Sequence, residues 1–356
     1  MSRTRNPLRR LAVTAAVALT LAACGGTDQT SAPTPAPDAA PSAPEGPSVD
    51  PVLIVATTSI LGDVVAQLVG DDGEVRVLMA PGVDPHGYQA SAADAAAMRE
   101  ADLVVQNGLQ LEEGLIAAVD AAIADGVRVL DLAPELDPIP FEKGDEHDDH
   151  SDEDHDDHGY EHDDHGDEDH DDHAHGEFDP HFWFDPLRMA DGVDLIATAL
   201  GDIQPDIDWA ARATTYRAEL EALDTEITAQ FATIPAERRH IITNHDSLGY
   251  LADRYGFEIV GTVVPGASTT VETNPQAFAA LVDVLVDEGI DVIFAETTDT
   301  TTLADQLASE AIGRGDLDVR VVQLYTGALG EPGSGAETYV GMLRTTATLI
   351  TEALAG

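Results

Sequence analysis

Three histidines stand in settings where imidazole does chemistry. His86 lies in Asp84-Pro85-His86-Gly87-Tyr88-Gln89, and His181 in Asp179-Pro180-His181-Phe182-Trp183-Phe184-Asp185-Pro186. His245 lies in Asn244-His245-Asp246-Ser247-Leu248-Gly249-Tyr250. A lone histidine of this kind is most often a hydrogen-bonded structural residue. Two separate Asp-Pro-His turns plus a third histidine at a strand end shift the balance towards one shared ion. Imidazole nitrogen suits Zn²⁺, and three neutral nitrogens leave a fourth position for a carboxylate or water. The nearby acids Asp84, Asp179, Asp185 and Asp246 are candidates to orient the rings through their other nitrogens. His240, after Arg238-Arg239, stands at the start of a strand, the wrong end for such a site, and reads as structural or solvent-exposed.

The segments around these residues alternate between strand-like and helix-like patterns. Apolar runs at 52–58, 74–80, 102–108 and 127–133 read as buried parallel strands, with helical patterns near 60–69, 91–100 and 111–124. A second set has strands at 240–245, 258–264, 291–296 and 318–325, with helices near 247–255, 275–288, 301–313 and 335–353. Alternation of this kind predicts an α/β protein of two similar lobes. Each lobe is a four-stranded, mostly parallel sheet with flanking helices. One long rigid helix over 207–232, capped by Asp206 or Asp208, joins them. The lobes are expected over 51–206 and 233–356. His86 and His245 then sit at the carboxyl ends of strands, one per lobe, where open α/β sheets gather ligands. His181 precedes a helical stretch, so the three rings are expected to meet in the cleft.

The ends and one insertion differ in composition. Residues 1–24 combine Arg3, Arg5, Arg9 and Arg10 with a short apolar run ending in Leu21-Ala22-Ala23-Cys24, which reads as a lipoprotein export signal with Cys24 lipidated. Residues 25–50, rich in Pro, Ala, Ser and Thr, read as a disordered tether. Cys24 is the single cysteine, so no intramolecular disulfide exists. The formal net charge is -50, opposite to what nucleic-acid binding requires. Residues 145–175 hold 17 Asp/Glu, no Lys/Arg and 9 of the 13 histidines, which marks the insertion as unable to pack and suited to weak metal contacts. Those histidines are His147, His150, His155, His158, His162, His165, His170, His173 and His175.

Taken together, ATTSILGDVVAQLVG (56–70), residues 83–115, DPHFWFDP (179–186) and NHDSLGYLADRYGFEIVG (244–261) resemble the zinc- and manganese-binding solute-binding lipoproteins of metal ABC transporters. The resemblance runs over about residues 52–353 and includes the His/Asp-rich insertion, a feature of the zinc-importing branch. It implies the ligands His86, His181 and His245. Because the manganese branch usually has Glu at the third position, it also implies Zn²⁺, with Mn²⁺ as the runner-up. Many members carry a carboxylate ligand soon after the last strand, where this chain reads Leu324-Tyr325-Thr326-Gly327. Glu296, Glu331 and water therefore compete for the fourth position. Glu296 is preferred among the protein groups, although it reads equally as a cleft-wall carboxylate paired with a base.

The function implied is the extracellular zinc-binding component of an ABC importer. It would be a monomeric, non-enzymatic protein on the outer face of the cytoplasmic membrane, held by a lipid anchor. Its partners would be the membrane permease and, through it, a cytoplasmic ATPase, since no nucleotide-binding Gly-rich loop is present. A surface adhesin is an alternative. A zinc hydrolase is a third reading, disfavoured because the chain has no His-Glu-x-x-His helix and no evident general base.

Overall fold

The computed structural model describes residues 51–141, 177–264, 266, 268–270, 273–298, 300–315 and 317–355. The sequence expectations for Cys24, the tether and all nine histidines of 145–175 lie outside these residues.

The described residues form one compact unit containing two sheets of identical plan. The first holds β1 (Val52–Ala56), β2 (Gly73–Val77), β3 (Leu103–Gln106) and β4 (Val129–Asp131), in the order β2-β1-β3-β4. The second holds β5 (His240–Thr243), β6 (Glu258–Thr262), β7 (Val292–Glu296) and β8 (Arg320–Leu324), in the order β6-β5-β7-β8. Every pairing is parallel. In this order the chain leaves the central strand to one side and then crosses to the other. The switch point therefore falls beside β1 in one sheet and beside β5 in the other, where ligands are expected.

The connecting helices begin and end where local chemistry allows. The helix α1 (Ser59–Val69) starts at Thr58, whose hydroxyl accepts from Leu61 N, and α2 (Ala92–Glu100) starts with a capping box between Ser91 and Asp94. The first sheet is completed by α3 (Ile116–Ala124). Asp185 caps α4 (Pro186–Ile203), with Pro186 at the first helical position, where its missing N–H costs nothing. Asp208 caps α5 (Trp209–Phe231), the long joining helix, by accepting from Ala211 N at 3.0 Å. Around the second sheet lie α6 (Gly249–Tyr255), α7 (Pro275–Glu288), α8 (Thr302–Arg314) and α9 (Tyr339–Leu354).

The joining helix does not stand alone, because α4, α9 and α1 all pack on it. A single apolar cluster runs through Ile54 of β1, Leu61 and Leu68 of α1, Ile196 of α4, Leu220 and Leu223 of α5, Leu251 of α6, Phe294 of β7 and Ile350 of α9. Two smaller clusters fill the outer faces of the two sheets. The halves thus share a core, and large separation would expose it to water at about 25 cal/mol per Å² of apolar surface. Six of the eight strands are predicted two or three residues too long at the carboxyl end, and β8 one residue, because apolar and β-branched residues continue into the loops that face the cleft; β7 ends at Glu296 as predicted. Among the described residues no helix is long and apolar enough to cross a membrane.

Candidate metal centre

The two Asp-Pro-His segments fold into the same turn. In each, the aspartate side chain accepts the backbone N–H of the histidine two residues on: Asp84 Oδ1 from His86 at 3.0 Å and Asp179 Oδ1 from His181 at 2.9 Å. The intervening proline favours the extended backbone that such a turn needs. His86 is thereby presented from the loop after β2. His181 is presented from the residues before a short helical turn, Phe182–Phe184, that leads into α4.

His245 follows the carboxyl end of β5. Thr243 of β5 pairs with Phe294 of β7, so two residues further along the same register His245 comes opposite Glu296, the last residue of β7. Nδ1 of His245 is in direct contact with Glu296 Oε1. The opposite nitrogen of the ring faces the other two histidines.

The three rings meet. Nε2 of His181 lies 3.3 Å from Nε2 of His86 and 3.3 Å from Nε2 of His245. One ligand atom from each residue fits within 4.8 Å of the others, and the ring centroids are 5.1–5.4 Å apart. Metal–nitrogen bonds of about 2.0–2.1 Å in tetrahedral geometry place neighbouring nitrogens about 3.3–3.4 Å apart, so the two measured separations match the edge of such a tetrahedron. All three histidines are buried, at 4 %, 1 % and 1 % exposure, so no bulk water competes for their nitrogens. No second group of this kind occurs among the described residues.

The acids around the cluster divide by role. Asp179 Oδ1 also contacts His181 Nδ1 at 2.7 Å, which leaves Nε2 of that ring as the free donor. Asp84 instead accepts from the Thr269 hydroxyl at 2.6 Å. Asp185 is occupied in capping α4 and in an ion pair with Arg254 at 3.3 Å. Glu296 is 2 % exposed, and its Oε2 accepts from the Thr298 hydroxyl at 3.2 Å. Its partner is His245, itself a basic residue. It faces the histidine cluster from behind His245 and is not one of the three grouped residues. Glu331 is exposed on the segment after β8. Gly327 lies against the first turn, where a Cβ would stand 3.3 Å from Pro85 Cδ, so the segment abuts the site without supplying a carboxylate. His240 is half-buried, 3.6 Å from Glu258 and 3.9 Å from Glu288, far from the cluster in the fold.

Burial and mutual repulsion set the protonation of the rings. Burial pushes His86 and His181 well below the usual imidazole value, and neighbouring imidazoles push the same way. His245 is equally buried, but the Glu296 carboxylate outweighs that and raises it. Glu296, although burial opposes its charge, is held below its usual range by His245. Burial lifts Asp179 to about 7. Two of the three nitrogens are thus kept neutral and available for a cation.

Several supporting residues lie outside the sequence prediction. Trp183 packs edge-on against His181 at 5.2 Å and donates its Nε1–H to Thr326 O at 2.9 Å. Tyr250 OH donates to Asp179 O at 3.0 Å, and Asn107 Nδ2 donates to Pro180 O at 2.9 Å. Asn107 is in turn set by Glu112, a buried carboxylate that accepts from Asn107 N at 2.8 Å and the Thr57 hydroxyl at 2.7 Å. Gly249 allows the α6 amino end to approach Asp179, since a Cβ there would lie 2.6 Å from Asp179 Oδ2. Buried polar residues in the motif segments were the available signal, but which carbonyl each one meets depends on the folded arrangement.

Residues 54–353 match the family model described as "Zinc-uptake complex component A periplasmic". The manganese-binding lipoprotein MntA of Bacillus subtilis is 30 % identical over 315 residues, covering 87 % of this chain and 92 % of that one. The zinc-binding protein TroA of Treponema pallidum is 28 % identical over 305 residues, covering 85 % and 89 %. A solved structure of the periplasmic zinc-binding protein TroA from that organism superposes with a TM-score of 0.72 at 27 % identity, covering 86 % of this chain and all of that one.

Proposed function

The chain belongs to the zinc-uptake complex component A periplasmic family, metal-binding solute-binding proteins of ABC transporters rather than enzymes, and from that premise we propose that it captures Zn²⁺ with high affinity and delivers it to a membrane permease. The observation that carries the choice of ion is the donor set. Three imidazole nitrogens lie within 4.8 Å of one another, two of their separations matching the edge of a tetrahedral site, and no carboxylate oxygen is grouped among them. Nitrogen-rich sites favour Zn²⁺, whereas Mn²⁺ favours oxygen ligands. His86, His181 and His245 are the ligands in this reading, and Asp179 and Glu296 hold two of the rings. The fourth position goes to water, or to Glu296 after it turns from His245. Buried carboxylates around the cluster balance the charge of the incoming cation.

Manganese is the second reading, because relatives of similar identity carry zinc-binding and manganese-binding names. Lipidation at Cys24 would tether the protein outside the cytoplasmic membrane, where the permease and its cytoplasmic ATPase can receive the ion. The 145–175 insertion would collect ions weakly.

Metal analysis of protein purified without added metal, followed by competition titration with Zn²⁺ and Mn²⁺, tests the proposal. One tight zinc per chain, lost in each of His86→Ala, His181→Ala and His245→Ala, is expected. Tighter binding of Mn²⁺ than Zn²⁺, or zinc retained by the triple variant lacking 145–175, would overturn it.

A further inference from the structure

The three histidines are delivered by segments that the fold holds very unequally. Residues 179–186 are buried without exception. They are tied to the second half of the molecule by Tyr250 OH to Asp179 O at 3.0 Å, Trp183 Nε1 to Thr326 O at 2.9 Å and Tyr339 OH to Trp183 O at 2.7 Å. An ion pair of Arg254 with Asp185 at 3.3 Å adds to these. Arg254 belongs to α6, which begins four residues after His245, and it also grips Asp224 of the joining helix with two hydrogen bonds of 2.5 and 2.6 Å. The His181 and His245 segments therefore share one braced frame.

The His86 turn is built differently. Pro81, Gly82 and Gly87 are exposed, and Val83 and Asp84 are half-buried. Two of its hydrogen bonds stay within the turn, from Val83 N to Ala80 O and from His86 N to Asp84 Oδ1. Beyond the approach of His86 Nε2 to His181 Nε2 at 3.3 Å, the turn is tied to the rest of the described molecule by Gly82 N to Leu329 O at 3.0 Å and by the Thr269 hydroxyl to Asp84 Oδ2 at 2.6 Å. Gly82 has a φ of +76° and open space around it, so the turn begins at a position with little steric resistance to rotation. Thr269 follows β6 in the second half, which makes its hydroxyl a bridge across the cleft mouth to the carboxylate that shapes the turn.

We infer that metal enters and leaves past His86: the 81–87 turn swings while the His181–His245 pair stays assembled, and Thr269 is the positioning residue that holds the turn closed. The inference rests on the reading of the three histidines as a metal site. A partly assembled pair lets the ion bind with two nitrogens before the third closes over it. Loss of the Thr269 hydroxyl then acts on the rate of escape more than on the stability of the fold.

Two measurements on the full chain test this. In stopped-flow transfer of zinc to a chromogenic chelator, Thr269→Val is expected to release zinc about tenfold or more faster, the value of a hydrogen bond to a charged acceptor. Thr269→Ser should restore the parent rate, and the melting temperature of the metal-free variants should match the parent. In amide exchange of the parent, metal removal should deprotect 81–88 while 179–186 and 240–250 stay protected. Release by Thr269→Val within twofold of the parent, or equal deprotection of 179–186, overturns the inference alone. Absence of one tight zinc in the parent overturns the metal-site reading and this one with it.

Discussion

Glu296→Gln separates a carboxylate that orients a ligand from one that is a ligand. The substitution keeps the size and one carbonyl oxygen of the side chain and removes its charge. In the structure that charge faces Nδ1 of His245, with the histidine 1 % and the glutamate 2 % exposed, so water replaces neither. The carboxylate therefore fixes a proton on Nδ1 and leaves Nε2, 3.3 Å from Nε2 of His181, as the metal donor. Partners placed in this way typically contribute 10- to 100-fold in metal affinity, or about 1.4–2.7 kcal/mol. A chelator-competition titration of Glu296→Gln should give a zinc Kd raised by roughly that factor, with one ion still bound per chain. Loss of the site as complete as in His245→Ala would make Glu296 a direct ligand. A change below about threefold would remove it from either role, and with it the account of why His245 points as it does.

Other outcomes follow from the same geometry. Gly249→Ala places a methyl group 2.6 Å from Asp179 Oδ2. It should lower stability by about 1–3 kcal/mol and weaken zinc binding, measured by thermal melts and titration, since Asp179 must shift from His181. Normal melting and affinity would mean that α6 does not clamp this aspartate. Affinity should fall as pH drops below about 7, because protons compete with the ion for imidazole nitrogen. His245, raised by Glu296 against the effect of burial, takes up its proton first, whereas His86 and His181 stay neutral to lower pH. Unchanged affinity between about pH 7.5 and 5.5 would count against an all-imidazole set. Deleting 145–175 should leave one tight site by calorimetry and reduce the weaker ones. Loss of the tight site would make the insertion part of it.

Much of the molecule is legible in its residues. Alternating apolar runs and helical periods determine eight strands and their helices, because buried parallel strands and amphipathic helices impose different spacings. The Asp-Pro-His turns are local too: Asp84 and Asp179 each bond the amide two residues on, an interaction that needs no other part of the chain. Asp208 as the cap of the joining helix belongs to the same class. Residue types also single out the three histidines and an imidazole-based chemistry.

Only the tertiary structure decides how the rings meet. The register of β5 on β7 puts Glu296 against Nδ1 of His245, which no spacing in a 51-residue interval reveals. Burial, set by three loops closing on one another, keeps His86 and His181 neutral, whereas the same residue types in water would share one ordinary value. The shared core through α5 and the braces at Tyr250 and Arg254 likewise arise from contacts between segments distant in the chain. Local chemistry acts over a few residues and can be read from their order. Distance, burial and the choice of partner depend on the whole chain having folded.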